Sequence, residues 1–289
     1  MRRRPFGVKV VPMRFLLPII AAALPVPALA DEIGECRFDR ETLNFAGDRA
    51  EQATCLLRKI EPLAVRKAQK LPPVIHRLME DPGAPSPGMM EAALATFPEP
   101  YRAYAIEHAR DPVSQTQAGL PLLYFVIHDT STPFYGDEPF PKRLESDLLV
   151  NSFEPYIVDQ PVAHIFLNRI GQIWAGHDFV EPWRATKLES YVIGPAARGR
   201  FVHIETVQPR RFAPGSDSLE NTVGPQPGFS RAQYRMLAAL YVYASARAGR
   251  WLIPAQHNTV DAGIPDAHDD PQNFELDRFA QELEALIKH

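Results

Sequence analysis

Three side chains in the second half of the chain have the types and the order of a metal site. His128 closes the apolar run Leu120-Pro-Leu-Leu-Tyr-Phe-Val-Ile127, and His257 follows the short apolar stretch Trp251-Leu-Ile253. Asp270 comes 13 residues after His257, in His268-Asp-Asp-Pro-Gln-Asn-Phe274. Two imidazoles and one carboxylate, with a fourth position left to water, are a standard catalytic zinc set. A histidine at a strand end is also a common structural residue, so spacing alone leaves both readings open. Asp269 is the neighbouring alternative to Asp270. Strand ends are nonetheless where α/β folds gather functional groups, because the sheet holds them rigidly and the loops leave them open.

The elements that must position these groups begin at Gly119. The run from Leu120 to Ile127 is continuous, β-branched and aromatic, which predicts a strand buried on both faces. Val162 to Arg169, then Ile170-Gly171, then Gln172 to Ala175 predicts a hairpin around a glycine turn. Phe201 to Val207 alternates as a further strand, and Trp251-Leu-Ile253 is a short one. Ser230-Arg-Ala-Gln233 is a capping box. It opens a helix to about Arg247, with Leu237, Leu240, Tyr241 and Ala244 on one face. A final helix spans Asn273 to Lys288. Strands interleaved with helices predict a mixed α/β fold, a mixed central β-sheet flanked by helices, over residues 119–289.

Residues 31–118 read as a small, mainly helical and irregular N-terminal unit. Asp48 caps a helix to Arg58, short helices follow at Glu91–Leu94 and Tyr101–Ala109, and Asp81-Pro-Gly-Ala-Pro-Ser-Pro-Gly88 is a loop. Before this unit, Arg2, Arg3, Arg4, Lys9 and Arg14 precede the apolar run Phe15 to Leu24, and Ala28-Leu-Ala30 follows it. This is the pattern of a cleaved secretory signal over residues 1–30, too short and too proline-broken to span a membrane. Met13 is an alternative start. In an exported chain, Cys36 and Cys55 most simply form one disulfide.

Composition sets the outer bounds. The chain has 289 residues, 45% of them hydrophobic, enough for a sizeable core. Its 29 prolines are about twice the usual share and favour long ordered loops over a helical bundle. The net charge is −4; without the five leader cations, 26 basic residues face 35 acidic ones, a balance of −9. No global basic field gathers nucleic acid. A polytopic membrane protein and a disordered chain are excluded as well.

Residues 120–285 resemble the type 2 N-acetylmuramoyl-L-alanine amidases, a zinc amidase fold shared with peptidoglycan-recognition proteins and a phage lysozyme. The similar stretches run in family order. Phe125-Val-Ile-His-Asp-Thr-Ser131 is similar to the strand carrying the first zinc histidine. Val162-Ala-His-Ile-Phe-Leu-Asn-Arg-Ile-Gly171 resembles the Ser-Ala-His strand and its turn. Phe201-Val-His-Ile-Glu205 resembles Ile-Gly-Ile-Glu, and Phe229 to Gly249 the Thr-x-x-Gln-Tyr helix. Ala255-Gln-His257 resembles the Gly-His strand end, and Asp270-Pro271 with Phe274 the Asp-Pro-Gly-x-x-Phe motif. There are departures: Trp183-Arg-Ala-Thr186 replaces Trp-His-Ala-Gly, Gln256 replaces glycine, and His268 stands in place of the usual lysine. Residues 206–228 form an insertion.

The resemblance implies Zn2+ held by His128, His257 and Asp270, the last having the following proline that Asp269 lacks. It implies Glu205 as the catalytic carboxylate and His268 as a transition-state donor. His164, at a family position lining the cleft, is implied to contact substrate or to support a ligand, and Trp183 and Arg184 are candidate substrate contacts; Trp174, Trp183 and Tyr191 read equally as groove or core, and His177 and His203 as structural. The expected activity is hydrolysis of the amide between N-acetylmuramic acid and L-alanine, in the periplasm or cell envelope, on peptidoglycan or muropeptides. The alternatives are a non-catalytic peptidoglycan-binding protein and a zinc amidase confined to soluble muropeptides.

Overall fold

The central element is β1, Tyr124–Asp129, in a computed structural model that describes residues 32–61, 65–81, 83–157 and 162–288. The leader read over residues 1–30 lies outside the described residues. β1 starts later than its apolar run because the run's first residues bond elsewhere: Pro121 bridges Gln115 and the Leu122 N–H donates to the Ser114 carbonyl. With β2 (Ile165–Leu167), β3 (Ile173–Ala175), β4 (Phe201–Thr206) and β5 (Ile253–Gln256) it forms a five-stranded sheet in the order β5-β1-β4-β2-β3. β5, β1, β4 and β2 are parallel, and β3 returns antiparallel to β2. The sheet is therefore mixed, as expected. Gly171, at φ +84°, closes the β2–β3 hairpin in a conformation open mainly to glycine. β5 is an edge strand, which is where Pro254 is tolerated.

Register decides which residues share a face. Tyr124 pairs with Phe201, Val126 with His203, and His128 with Glu205. Parallel partners point the same way, and alternate residues point oppositely. One face of β1 and β4 thus carries Tyr124, Phe201, His203, His128 and Glu205, in order toward the C-terminal strand ends. The other carries Phe125 and Ile127, and Phe125 meets Tyr241 of the long helix α5 at 5.4 Å between ring centres.

α1 (Arg49–Leu56), α2 (Pro73–Glu80), α3 (Pro87–Thr96) and α4 (Tyr101–Glu107) precede the sheet; α5 (Arg231–Arg247) and α6 (Leu276–Ile287) follow it. The predicted capping box opens α5: Gln233 N–H donates to Ser230 Oγ at 3.1 Å, and Ser230 N–H to Gln233 Oε1 at 3.0 Å. Sequence pattern gave α5 one apolar face, but Met236 to Ser245 are all buried. α3 and α6 both pack against it and cover the rest of its circumference.

Residues 32–118 share the core of the sheet. A ribbon of Glu32–Ile33, Phe38–Asp39 and Asn44–Phe45 brings Phe45 to 5.3 Å from the Tyr124 ring and Phe38 to 6.1 Å from Phe201. Cys36 and Cys55 form the expected disulfide and tie this ribbon to α1. Residues 31–289 make one compact unit. The N-terminal segment is thus the roof over the first half of the face whose second half carries the histidines.

Candidate metal centre and cleft

The three residues singled out by type and order come together at the C-terminal ends of β1 and β5. His128 Nδ1 lies 2.9 Å from His257 Nδ1, and His257 Nδ1 lies 3.0 Å from Asp270 Oδ1. His128 Nδ1 is 3.8 Å from Asp270 Oδ2. Tetrahedral ligands at 2.0–2.1 Å from a metal sit about 3.3 Å from one another. The spacing therefore fits one cation, and all three residues are buried. Asp269 turns elsewhere: its carboxylate takes Arg210 Nη2 at 3.5 Å and the amide of Gln272.

Glu205 reaches the same point from β4, with Oε1 3.8 Å from His128 Nδ1. Its Oε2 is buried without a hydrogen-bond partner. Burial, and then the Asp270 charge, push its carboxyl well above the usual range. Burial, followed by the neighbouring His257 and His203, holds His128 well below its ordinary value. Against its burial, the Asp270 and Asp261 carboxylates push His257 the other way, well above its ordinary value; a neutral imidazole is the ligating form, so a bound cation would take the place of that proton. The donor set and the orphaned oxygen both fit a bound divalent metal.

Behind the ligands stand groups to which the sequence gave no site role, among them His203, which read as structural. His257 Nε2 lies 3.0 Å from Asp261 Oδ2, and His128 Nε2 lies 3.1 Å from His203 Nδ1. Asp129 accepts from Arg210 Nη2 at 2.8 Å, while its own N–H donates to Asp270 Oδ2 at 3.1 Å. Two of these had a readable signal. His203 is two residues before Glu205 on a strand, hence on its face, and Asp261 is four after His257, one helical turn. Glu189, discussed below, had none.

The site opens into a cleft of about 500 Å3 lined by Glu205, His257, His268, Asp270, Trp183 and Arg184 among others. His268 sits at its rim, its side chain 56% exposed and its ring 4.7 Å from that of His257. Trp183 stacks on His177 at 4.0 Å, and Arg184 Nη1 donates to Ser190 Oγ at 2.8 Å. Tyr191 stands out from the rim, 83% exposed, whereas Trp174 packs on Phe166 away from the cleft lining.

Chain comparisons add little to this geometry. No family model matches the chain, and no curated protein sequence matches it. Among solved structures, a selenomethionine derivative of AmpD is similar at 20% identity and a TM-score of 0.33, over 60% of this chain and 92% of that one.

Of the two roles the resemblance left to His164, substrate contact is the one the structure corrects: it is fully buried and both ring nitrogens are engaged, which fits the supporting role instead. Nδ1 accepts the His203 N–H at 3.1 Å, and Nε2 donates to the Glu181 carbonyl at 3.1 Å. It braces β4 from behind and has no free edge to offer a ligand.

Proposed function

We propose that this chain is an exported zinc amidase that hydrolyses the amide between the lactyl group of N-acetylmuramic acid and L-alanine of the peptidoglycan stem peptide. The observation that carries the reading is the convergence of His128 Nδ1, His257 Nδ1 and Asp270 beside the unpartnered Glu205 Oε2, at the floor of a cleft. The ordered stretches between residues 120 and 285 support the choice of amide.

His128, His257 and Asp270 would hold the metal, which when bound supplies a divalent charge that polarises a carbonyl and acidifies a water. Glu205 is placed to take a proton from the attacking water and pass it to the leaving amine. Its Oε2, buried with no partner in the protein, is free for that exchange. His268, on the exposed rim, is placed to donate to the oxygen that becomes negative. Trp183 and Arg184 offer an aromatic surface and a cation to the sugar and peptide on the same wall. Export draws on the leader pattern and on the Cys36–Cys55 disulfide, since such bonds persist in oxidising compartments. Among the described residues no helix is long and apolar enough to cross a membrane.

Digestion of purified sacculi, with products identified by mass spectrometry, tests the reading. Free stem peptides are the expected product. Cleavage of soluble muropeptides alone would narrow the substrate, a reading favoured by Arg184 and the 206–228 insertion where the resemblance breaks. Binding without products would overturn it in favour of a non-catalytic peptidoglycan binder.

A further inference from the structure

We propose that Glu189 is a positioning residue for the metal centre, acting through His203 to hold His128 with Nδ1 turned toward the ion. The proposal rests on the reading of His128, His257 and Asp270 as ligands. His203 Nδ1 faces His128 Nε2 at 3.1 Å, and His203 Nε2 lies 3.1 Å from Glu189 Oε2. His203 and Glu189 are both fully buried.

The chain of contacts has one consistent direction. An imidazole that gives Nδ1 to a cation carries its proton on Nε2 and needs an acceptor there. His203 Nδ1 is an acceptor only while the His203 proton sits on Nε2; Glu189 Oε2 is the charged group facing that nitrogen, an ion-pair contact at 3.1 Å rather than an aligned hydrogen bond. One buried carboxylate thereby sets two tautomers in series. His203 stands where the strand it resembles has glycine, so this relay belongs to the present chain.

Glu189 also belongs to the cleft wall. It accepts from Thr186 Oγ1 at 3.0 Å and from the Ala185 N–H at 3.2 Å. Asp261, which faces the outer nitrogen of His257, accepts the N–H groups of Lys187 and Leu188 at 2.9 Å each. Ala185, Thr186 and Lys187 line the cleft. The same short segment therefore walls the cleft and grips both metal histidines from outside.

Zinc affinity measured by competition with a chromophoric chelator, alongside the visible spectrum of the cobalt-loaded protein, tests this without using activity. Glu189→Gln is expected to bind zinc 10–100-fold more weakly than wild type and to shift the cobalt bands, with Glu189→Asp recovering part of the loss. Should Glu189→Gln not fold, Thr186→Val, which removes one hydrogen bond from the carboxylate and one acceptor of the Glu189 N–H, is expected to weaken binding several-fold. Wild-type affinity and an unchanged cobalt spectrum in every folded variant would overturn the role of Glu189 alone. A wild-type protein that binds neither metal would overturn the ligand assignment, and this relay with it.

Discussion

The shared face of β1 and β4 is one surface with two halves. Toward the strand starts, Tyr124 stacks on Phe201 at 5.0 Å under Phe38 and Phe45. The Tyr124 hydroxyl there is satisfied twice: Oη accepts the Phe45 N–H and donates to Gln52 Oε1, both at 2.9 Å. Toward the strand ends, His203, His128 and Glu205 are buried almost as deeply, yet Glu205 Oε2 has no partner. Depth of burial does not separate the halves. What separates them is whether the polar groups find partners within the protein. The first half supplies stability, and the second holds costly groups in place for something not made of protein.

That contrast can be broken most sharply at a ligand. His128→Ala is expected to lose both the bound metal and all measurable amidase activity while the aromatic half stays folded. Elemental analysis and near-ultraviolet circular dichroism would check it, and full activity of metal-free wild type in chelator would refute it. Glu205→Gln should keep one zinc per chain and lower kcat by about 10²–10⁴-fold, the scale of lost general-base help. Hydrolysis at the native rate would make Glu205 a structural group.

Opposite behaviour is expected from the aromatic half. Phe38→Ala opens a cavity over Phe201 and should cost about 3–5 kcal/mol in denaturant unfolding, with zinc affinity little changed in the folded protein. A loss of zinc affinity as large as that of His128→Ala would show that the halves are not separable. Reduction of Cys36–Cys55 should cost about 3 kcal/mol through the freed loop of the unfolded chain. It should leave the metal bound, because neither cysteine touches a ligand and the neighbouring Glu35 and Leu56 keep their own hydrogen bonds to Ala262 and Thr259.

A further expected effect is a slope with pH. Burial lowers the His164 pKa to about 3, against about 6.5 in the unfolded chain. Between those values the unfolded state binds a proton that the native state refuses. This contribution is therefore full above about pH 6.5 and declines as pH falls toward 3, by at most ~1.4 kcal/mol per pH unit. His164→Asn should flatten the acid limb by that amount, so parallel curves of stability against pH would remove His164 from the acid response.

Local rules made part of this legible in the sequence. The α5 capping box, the Gly171 hairpin and the β1 run rest on neighbours within a few residues, and the structure reproduces them within several residues at their ends. The order of His128, His257 and Asp270 pointed to a common site because strand ends gather. The roof was not legible, since two-residue strands at Phe38 and Phe45 carry no period of their own. Nor was Glu189, whose role depends on His203 and on a segment positioned by Asp261 72 residues further along the chain. Contacts of that range are set by packing and leave no mark in local pattern.

Arg210 carries a consequence for anyone exchanging loops in this protein. It arises within the 206–228 insertion, yet it is 1% exposed. Its guanidinium grips Asp129, whose N–H in turn holds Asp270. Its backbone is stitched to Pro133 and Tyr135 at 3.0 and 2.8 Å. The insertion thus has a graftable tip, around residues 214–221, and a base that is a keystone. Shortening it at the tip spares Arg210 but removes Leu219–Asn221 from the cavity they share with His268 and Asp269, whereas replacing it from the root withdraws the only guanidinium beside Asp129 among the described residues.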